Sequence, residues 1–146
     1  MKILIQTACP WFRKIKFQQA LNSSGDYRYF SANILTGLEK NPFVADSRFS
    51  DVFYGFKQNY TILANFTLPE GYETEGLPKN IKMIMSDTSV SISRVSQLAG
   101  NIVMVRIQLE FKKTGLPYFT GIEELHEFYK QLFDLLNEQY VIRKKK

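Results

Sequence analysis

A regular alternation of apolar and polar residues marks the segment NYTILANFTLPEGYE, residues 59–73. Its apolar positions recur every second residue, which is the period of a strand with one buried face. Pro69 and Gly71 interrupt the alternation and predict a type I turn over Leu68–Gly71, because proline fits the second position of that turn and glycine the fourth. The segment therefore predicts a core strand followed by a tight turn.

Two further alternating segments predict a β-hairpin in the second half of the chain. In SVSISRVSQ, residues 89–97, we expect Val90 and Ile92 to face the core and the intervening serines to face solvent. Ala99-Gly100-Asn101 then predicts a tight hairpin turn. The strand that follows the turn carries the most regular apolar stripe, formed by Val103, Val105, Ile107, Leu109 and Phe111.

Shorter patterns predict more strands at Tyr27–Leu35, at Ile81–Ser86 and in YVIRKKK at the C-terminal end. Residues 1–21 carry no complete strand or helix pattern, although KIKFQQAL within them has a strand-like spacing. We interpret residues 1–24 as an N-terminal extension or the remnant of an upstream segment, and residues 25–146 as one β-rich domain.

The period becomes helical after residue 120. Thr120 and Glu123 have the spacing of a capping box, in which each side chain bonds a free backbone N–H of the first turn. One apolar stripe follows at helical spacing, formed by Ile122, Leu125, Tyr129, Leu132, Phe133 and Leu136. The predicted fold class is therefore mainly β, an antiparallel β-sandwich or highly curved sheet, with one long amphipathic helix near the C-terminus.

Composition and charge narrow the function classes. The chain has 146 residues, which suits one domain, and its single cysteine, Cys9, excludes an internal disulfide. The formal net charge is +5, but without Arg143 and the three lysines after it only 15 basic residues stand against 14 acidic ones. A nucleic-acid partner needs basic residues clustered on a folded face, so we expect none, and no apolar run is long enough to predict a membrane span.

Residue types that carry chemistry are few and scattered. Cys9 and His126 are the only cysteine–histidine combination, and they lie at opposite ends of the chain. One cysteine and one histidine do not supply a usual zinc ligand set. Glu123 and Glu124 are consecutive helical residues that point about 100° apart, which suits capping better than proton sharing. We predict no catalytic, cofactor-binding or metal-ligating residues.

Residues 43–60 form an irregular segment rich in aromatic residues, here called the aromatic segment. One interpretation is that its rings are pinned into the core. The other is that they form a shelf for a peptide or glycan, with Phe49, Phe53, Tyr54 and Phe56 as the binding residues. The pattern favours the core, because phenylalanine without tryptophan or arginine nearby is a poor recognition surface.

Three segments taken together resemble a known family: GLEKNPF, NYTILANFTLPEGYETEGLPKNIKM and FYKQLFDLLNEQYVIRKKK. Their order and spacing resemble the C-terminal β-rich domain that follows the catalytic core of bacterial transglutaminase-like proteins. The resemblance spans residues 25–146. The catalytic core of that family lies upstream of this domain, so Cys9 does not inherit the role of its nucleophile.

The resemblance implies a non-catalytic accessory domain that packs on or orients a transglutaminase-like catalytic domain, in the same chain or another. It also implies the periplasm or cell envelope of a Gram-negative bacterium, or the cytoplasm for a stand-alone fragment. A second copy of the chain is an alternative partner. The alternative function is an envelope module that binds a peptide or glycan through the aromatic segment or an exposed sheet edge.

Overall fold

The computed structural model describes residues 2–7, 12–16, 21–35, 38, 40–45, 50–116 and 122–145. The described residues form strands, a short 3-10 helix at Ala32–Leu35 and the α-helix α1 at Ile122–Asn137. The strands are β1 Lys2–Thr7, β2 Phe12–Lys16, β3 Asn22–Ser24, β4 Tyr27–Ser31, β5 Val52–Phe53, β6 Gln58–Thr67, β7 Tyr72–Gly76, β8 Ile81–Ile84, β9 Val90–Ala99, β10 Ile102–Phe111, β11 Gly115–Leu116 and β12 Gln139–Lys144.

The largest sheet has six strands in the order β2-β1-β6-β10-β9-β8. Its centre is the pairing of β10 with β6 and β9, in which Val103 lies opposite Phe66 and Ile107 opposite Ile62. All four of these side chains are buried, so the stripe predicted for the strand after Gly100 is confirmed as the core face of the sheet.

A four-stranded sheet, β3-β4-β12-β7, covers part of this core face. Phe66 of β6 contacts Phe30 of β4, with ring centroids 4.6 Å apart, and Phe30 stacks on Tyr140 of β12 at 5.0 Å. The Tyr140 hydroxyl also lies 2.8 Å from Ser96 Oγ on β9, so a polar contact joins the two sheets inside the core. All strand pairs within these sheets are antiparallel, and the predicted fold class is confirmed.

Helix α1 buries the predicted stripe from Leu125 to Leu136. Leu125, Leu132 and Leu136 are almost fully buried, and Phe128 and Leu135 join them. At its start the Glu124 carboxylate accepts hydrogen bonds from the backbone N–H and the hydroxyl of Ser86, in the turn between β8 and β9. Thr120 of the predicted capping box lies outside the described residues.

Two expectations at strand ends are wrong. Ser89 and Ser91 are expected to be exposed, but both are buried: the Ser89 hydroxyl lies 3.6 Å from the Met85 sulfur, and Ser91 is covered on the outer face of the sheet, where its hydroxyl donates to Glu110. The strand predicted over Tyr27–Leu35 ends at Ser31, and the chain continues as the 3-10 helix with Ala32 buried. Small polar groups are tolerated in a core when their hydrogen bonds are satisfied.

The basic C-terminal end is more ordered than a solvated tail. Arg143 and Lys144 belong to β12, an inner strand of the four-stranded sheet. The Arg143 guanidinium pairs with Glu73 at 2.9 Å and with Glu75 at 3.2 Å across β7. The charge of Arg143 is therefore paired with carboxylates on the neighbouring strand.

Three strands, β1, β2 and β3, lie in the segment interpreted as an extension. β1 pairs with β2 on one side and with β6 on the other, where Ile3 lies opposite Ala64 and Ile5 opposite Ile62. The six-stranded sheet thus includes residues on both sides of position 24. The division of the chain into residues 1–24 and 25–146 stays a prediction.

The turn at Gly100 gives a first testable prediction. Gly100 has a φ of +60° at the second position of the β9–β10 turn, a backbone region that costs an L-residue about 1 to 2 kcal/mol. We expect Gly100→Ala to lower the free energy of unfolding by about that amount in urea denaturation. Gly76→Ala is the control, because Gly76 has no positive φ and open space around its Cα, and it should cost less than about 0.5 kcal/mol.

Candidate interaction surface

A short ribbon fixes the aromatic segment against the rest of the domain. β5 and β11 pair through Val52 and Leu116 and through Phe53 and Gly115. The Tyr54 N–H extends this ribbon by donating to the Thr114 carbonyl at 2.7 Å. A Cβ atom at Gly115 would lie 2.5 Å from the Val52 carbonyl oxygen, so only glycine allows this close approach of the two strands.

Half-buried aromatic rings form a base beneath the ribbon. Tyr54 contacts Phe111 at the end of β10, with ring centroids 4.9 Å apart, and Phe43 packs edge-on against Tyr129 of α1 at 4.5 Å. Burial, and then the neighbouring Tyr54 hydroxyl, raise the pKa of Tyr129 far above its usual value, so this phenol stays protonated at neutral pH. The base is therefore an uncharged, packed support that joins the ribbon to the sheet and the helix.

Two phenylalanines of the aromatic segment are largely exposed to solvent. Phe53 is 79% exposed and Phe56 is 70% exposed, the largest values among the exposed phenylalanines of the described residues. Between them Tyr54 is half-buried, and its carbonyl accepts a hydrogen bond from the Gln58 side chain at 3.0 Å. We call Phe53 and Phe56 the phenylalanine pair. Removing one phenylalanine ring from water gives about 1.5 to 3 kcal/mol of stabilisation, which this domain does not gain at either position.

The charged residues beside the ribbon are balanced. Lys113 pairs with Asp87 at 2.9 Å, and Lys112 lies 3.5 Å from Glu110. Burial tends to raise the pKa of Asp87, but the hydrogen bonds from Ser89 and the contact with Lys113 outweigh it and hold that pKa below its usual value. Apolar rings beside paired charges resemble the core and rim of a protein–protein interface more than a surface for a polyanion.

The structure separates the four residues predicted as a binding surface. Phe53 and Phe56 are exposed, and Tyr54 is not, because it packs on Phe111. Phe49 lies outside the described residues. The core interpretation therefore holds for Tyr54 and Phe43 but is wrong for the phenylalanine pair.

The structure describes one of the two residues considered as a nucleophile and base. His126 is half-buried on α1, and Cys9 lies outside the described residues. Within the described ranges, no group of three or more His, Cys, Asp or Glu side chains is placed to hold a metal ion. In the same ranges no helix has the length and hydropathy required to cross a membrane.

Arg94 on β9 is an organising residue that the periodicity did not single out. Its side chain is 2% exposed, and the guanidinium donates to the Leu135 carbonyl near the end of α1, to the Lys79 carbonyl at 2.8 Å and to Glu138 at 2.6 Å. Continuing the two-residue period from Val90 and Ile92 would have placed Arg94 on the core face. A charged residue at such a position signals a buried hydrogen-bond centre.

Comparison with known proteins gives one result. A family model described as a domain of unknown function with a solved structure, DUF3858, matches residues 26–142. No curated protein matches the chain, and no solved structure matches it. Strands β1, β2 and β3 precede the matched region, and the phenylalanine pair, Arg94 and α1 lie within it. Because this family model matches most of the chain, the chain belongs to the DUF3858 family.

Proposed function

We propose that this chain is a non-catalytic accessory domain that packs on a transglutaminase-like catalytic domain, in the same polypeptide or another. The observation that carries the proposal is the exposure of Phe53 and Phe56 on a packed aromatic base. Each exposed phenylalanine ring that leaves water on binding contributes about 1.5 to 3 kcal/mol of apolar burial. The identity of the neighbour comes from the sequence resemblance of residues 25–146 to the domain that follows such catalytic cores.

In this proposal the phenylalanine pair inserts into an apolar depression of the neighbour, and the salt bridges beside the ribbon form part of the rim. The ribbon and the Tyr54–Phe111 contact hold the rings in place before binding, which reduces the entropy lost on association. The proposed location follows the same resemblance and is the periplasm or cell envelope of a Gram-negative bacterium.

Photo-crosslinking in the native cell tests the identity of the partner. p-Benzoylphenylalanine is placed at position 53 or 56, and crosslinked products are identified by mass spectrometry. We expect both positions to crosslink to a polypeptide with a transglutaminase-like core. Leu98 is the matched control, because it is an exposed apolar residue of β9 beside the β9–β10 turn, roughly 25 to 30 Å along the sheet from Phe111.

Other outcomes contradict the proposal in different ways. Crosslinks of the chain to itself would identify a homodimer interface instead. Crosslinks to peptidoglycan fragments would support the alternative function as a glycan-binding module, which the exposed rings also suit because aromatic faces stack on sugars. The same products from positions 98 and 53 would show that the phenylalanine pair has no specific partner.

A further inference from the structure

The outer edge of β8 offers backbone groups that no described strand uses. β8 is the last strand of the six-stranded sheet and pairs only with β9 among the described residues. The Met85 N–H donates to the Val90 carbonyl at 3.0 Å, so Met85 and Val90 are a hydrogen-bonded pair of the two strands. Because bonding alternates along antiparallel strands, Ile81 and Met83 bond to β9, and Lys82 and Ile84 direct their N–H and C=O groups outward.

A groove runs between this edge and the C-terminal half of α1. It has a volume of about 490 Å³, and Ile81 and Met83 line its strand side while Leu135 and Asp134 line its helix side. Ile81 is substantially exposed, and so is Ile84 at the end of the strand. Unpaired backbone groups beside an apolar groove are the combination by which sheets take up an extended peptide.

The charge of the groove indicates which charged residue a bound segment would carry. Asp134 and Glu138 line it with carboxylates and both are exposed, whereas the Arg94 guanidinium beneath them is buried and bonded to one Glu138 oxygen. Lys82 does not offset this charge inside the groove, because it lies on the opposite face of the sheet beside Ser93 and Glu110. The solvent-facing charge of the groove is therefore negative.

We propose that the β8 edge binds an extended polypeptide segment as an added strand, with one lysine or arginine of that segment meeting Asp134 and Glu138. Side chains of an added strand alternate between the two faces of the sheet, so those on the helix side would contact Ile81 and Met83 and would be apolar apart from the basic residue. This site is separate from the phenylalanine pair, and it does not depend on the proposed function.

The short length of β8 limits what the edge accepts. Four residues with Lys82 among them resist the open-ended sheet growth that long apolar edges invite. Lys82 and Ile84 together provide bonding groups for a segment of about four to six residues. The edge therefore suits a short segment of a partner protein better than a second copy of β8.

Peptide selection on the full chain tests the proposal. Random heptapeptides displayed on phage are selected against the protein, and the enriched sequences are synthesised and measured by fluorescence anisotropy. We expect alternating apolar residues with one lysine or arginine. Binding should weaken about tenfold or more in Ile84→Pro, which removes an outward N–H that β9 does not use, and should be retained in Ile84→Val.

Two further measurements separate docking from damage to the fold. Asp134→Lys should weaken binding about tenfold, whereas Glu127→Lys, on the same helix but outside the groove, should leave it unchanged. On the unmodified protein, N-methylation of alternate peptide residues should abolish binding at one set of positions and spare the other, as a paired strand requires. Failure to enrich any peptide, or equal binding to Ile84→Pro and to the unmodified protein, would overturn the proposal.

Discussion

Replacing Arg94 with methionine is expected to lower the free energy of unfolding by about 3 to 5 kcal/mol. Methionine keeps much of the apolar stem but removes the guanidinium that donates to the carbonyls of Leu135 and Lys79. Each carbonyl then lies in or beside the core without its charged donor, at a cost of about 1.5 to 3 kcal/mol. Urea denaturation followed by circular dichroism measures the change.

Two control variants isolate the cause of this loss. Arg106→Met removes an arginine from the exposed face of β10 and should change stability by less than about 0.5 kcal/mol. Glu138→Gln removes the charge partner, but Glu138 is half in solvent, so its loss should cost at most about 1 kcal/mol. If Glu138→Gln proves as damaging as Arg94→Met, the ion pair and not the two carbonyls holds the end of α1.

The second large effect is expected at Leu132 in the middle of α1. Leu132 is fully buried in the core, so Leu132→Ala should cost about 2 to 5 kcal/mol through lost apolar contacts and the cavity left behind. Glu127→Ala lies on the exposed face of the same helix and should change stability by less than about 0.5 kcal/mol. Equal losses at the two positions would contradict the docking of α1 on the sheet.

Local periodicity was sufficient to predict the elements that have one face in the core and one in solvent. The stripe of β10 and the stripe of α1 follow directly from periods of two and of 3.6 residues, and both are confirmed. The pairing of β12 between β4 and β7 could not be predicted in this way, because it joins segments about 70 to 110 residues apart along the chain. YVIRKKK indicated a strand but not its partners.

Turn geometry shows the limit of residue types alone. Pro69 and Gly71 predicted a type I turn over Leu68–Gly71, but the Tyr72 N–H donates to the Pro69 carbonyl, so the turn begins one residue later. Gly71 then takes the third position with a φ of +77°, which is typical of a type II turn. Glycine is compatible with either position, and only the pairing of the flanking strands decides between them.

The candidate interaction surface could be located from the sequence but not resolved. Phe53, Tyr54 and Phe56 were singled out because the aromatic segment has no clear period. For the same reason, no pattern could tell which ring would be buried. The answer depends on the pairing of Phe53 with Gly115, more than 60 residues away along the chain. Pairing between distant segments, and not the local sequence, therefore decides which of these rings is exposed.

The central claim is that the phenylalanine pair docks this domain on a transglutaminase-like catalytic domain. Isothermal titration calorimetry with the transglutaminase-like domain encoded in the same genome tests it most directly, using the unmodified chain, the Phe53→Ser/Phe56→Ser double variant and Leu98→Ser. Because Phe53 and Phe56 are exposed, the double variant should keep the thermal stability of the unmodified chain. We predict saturable binding that weakens about 100-fold or more in the double variant and less than about threefold in Leu98→Ser. No binding by the unmodified chain, or equal affinity in the double variant, would contradict the account.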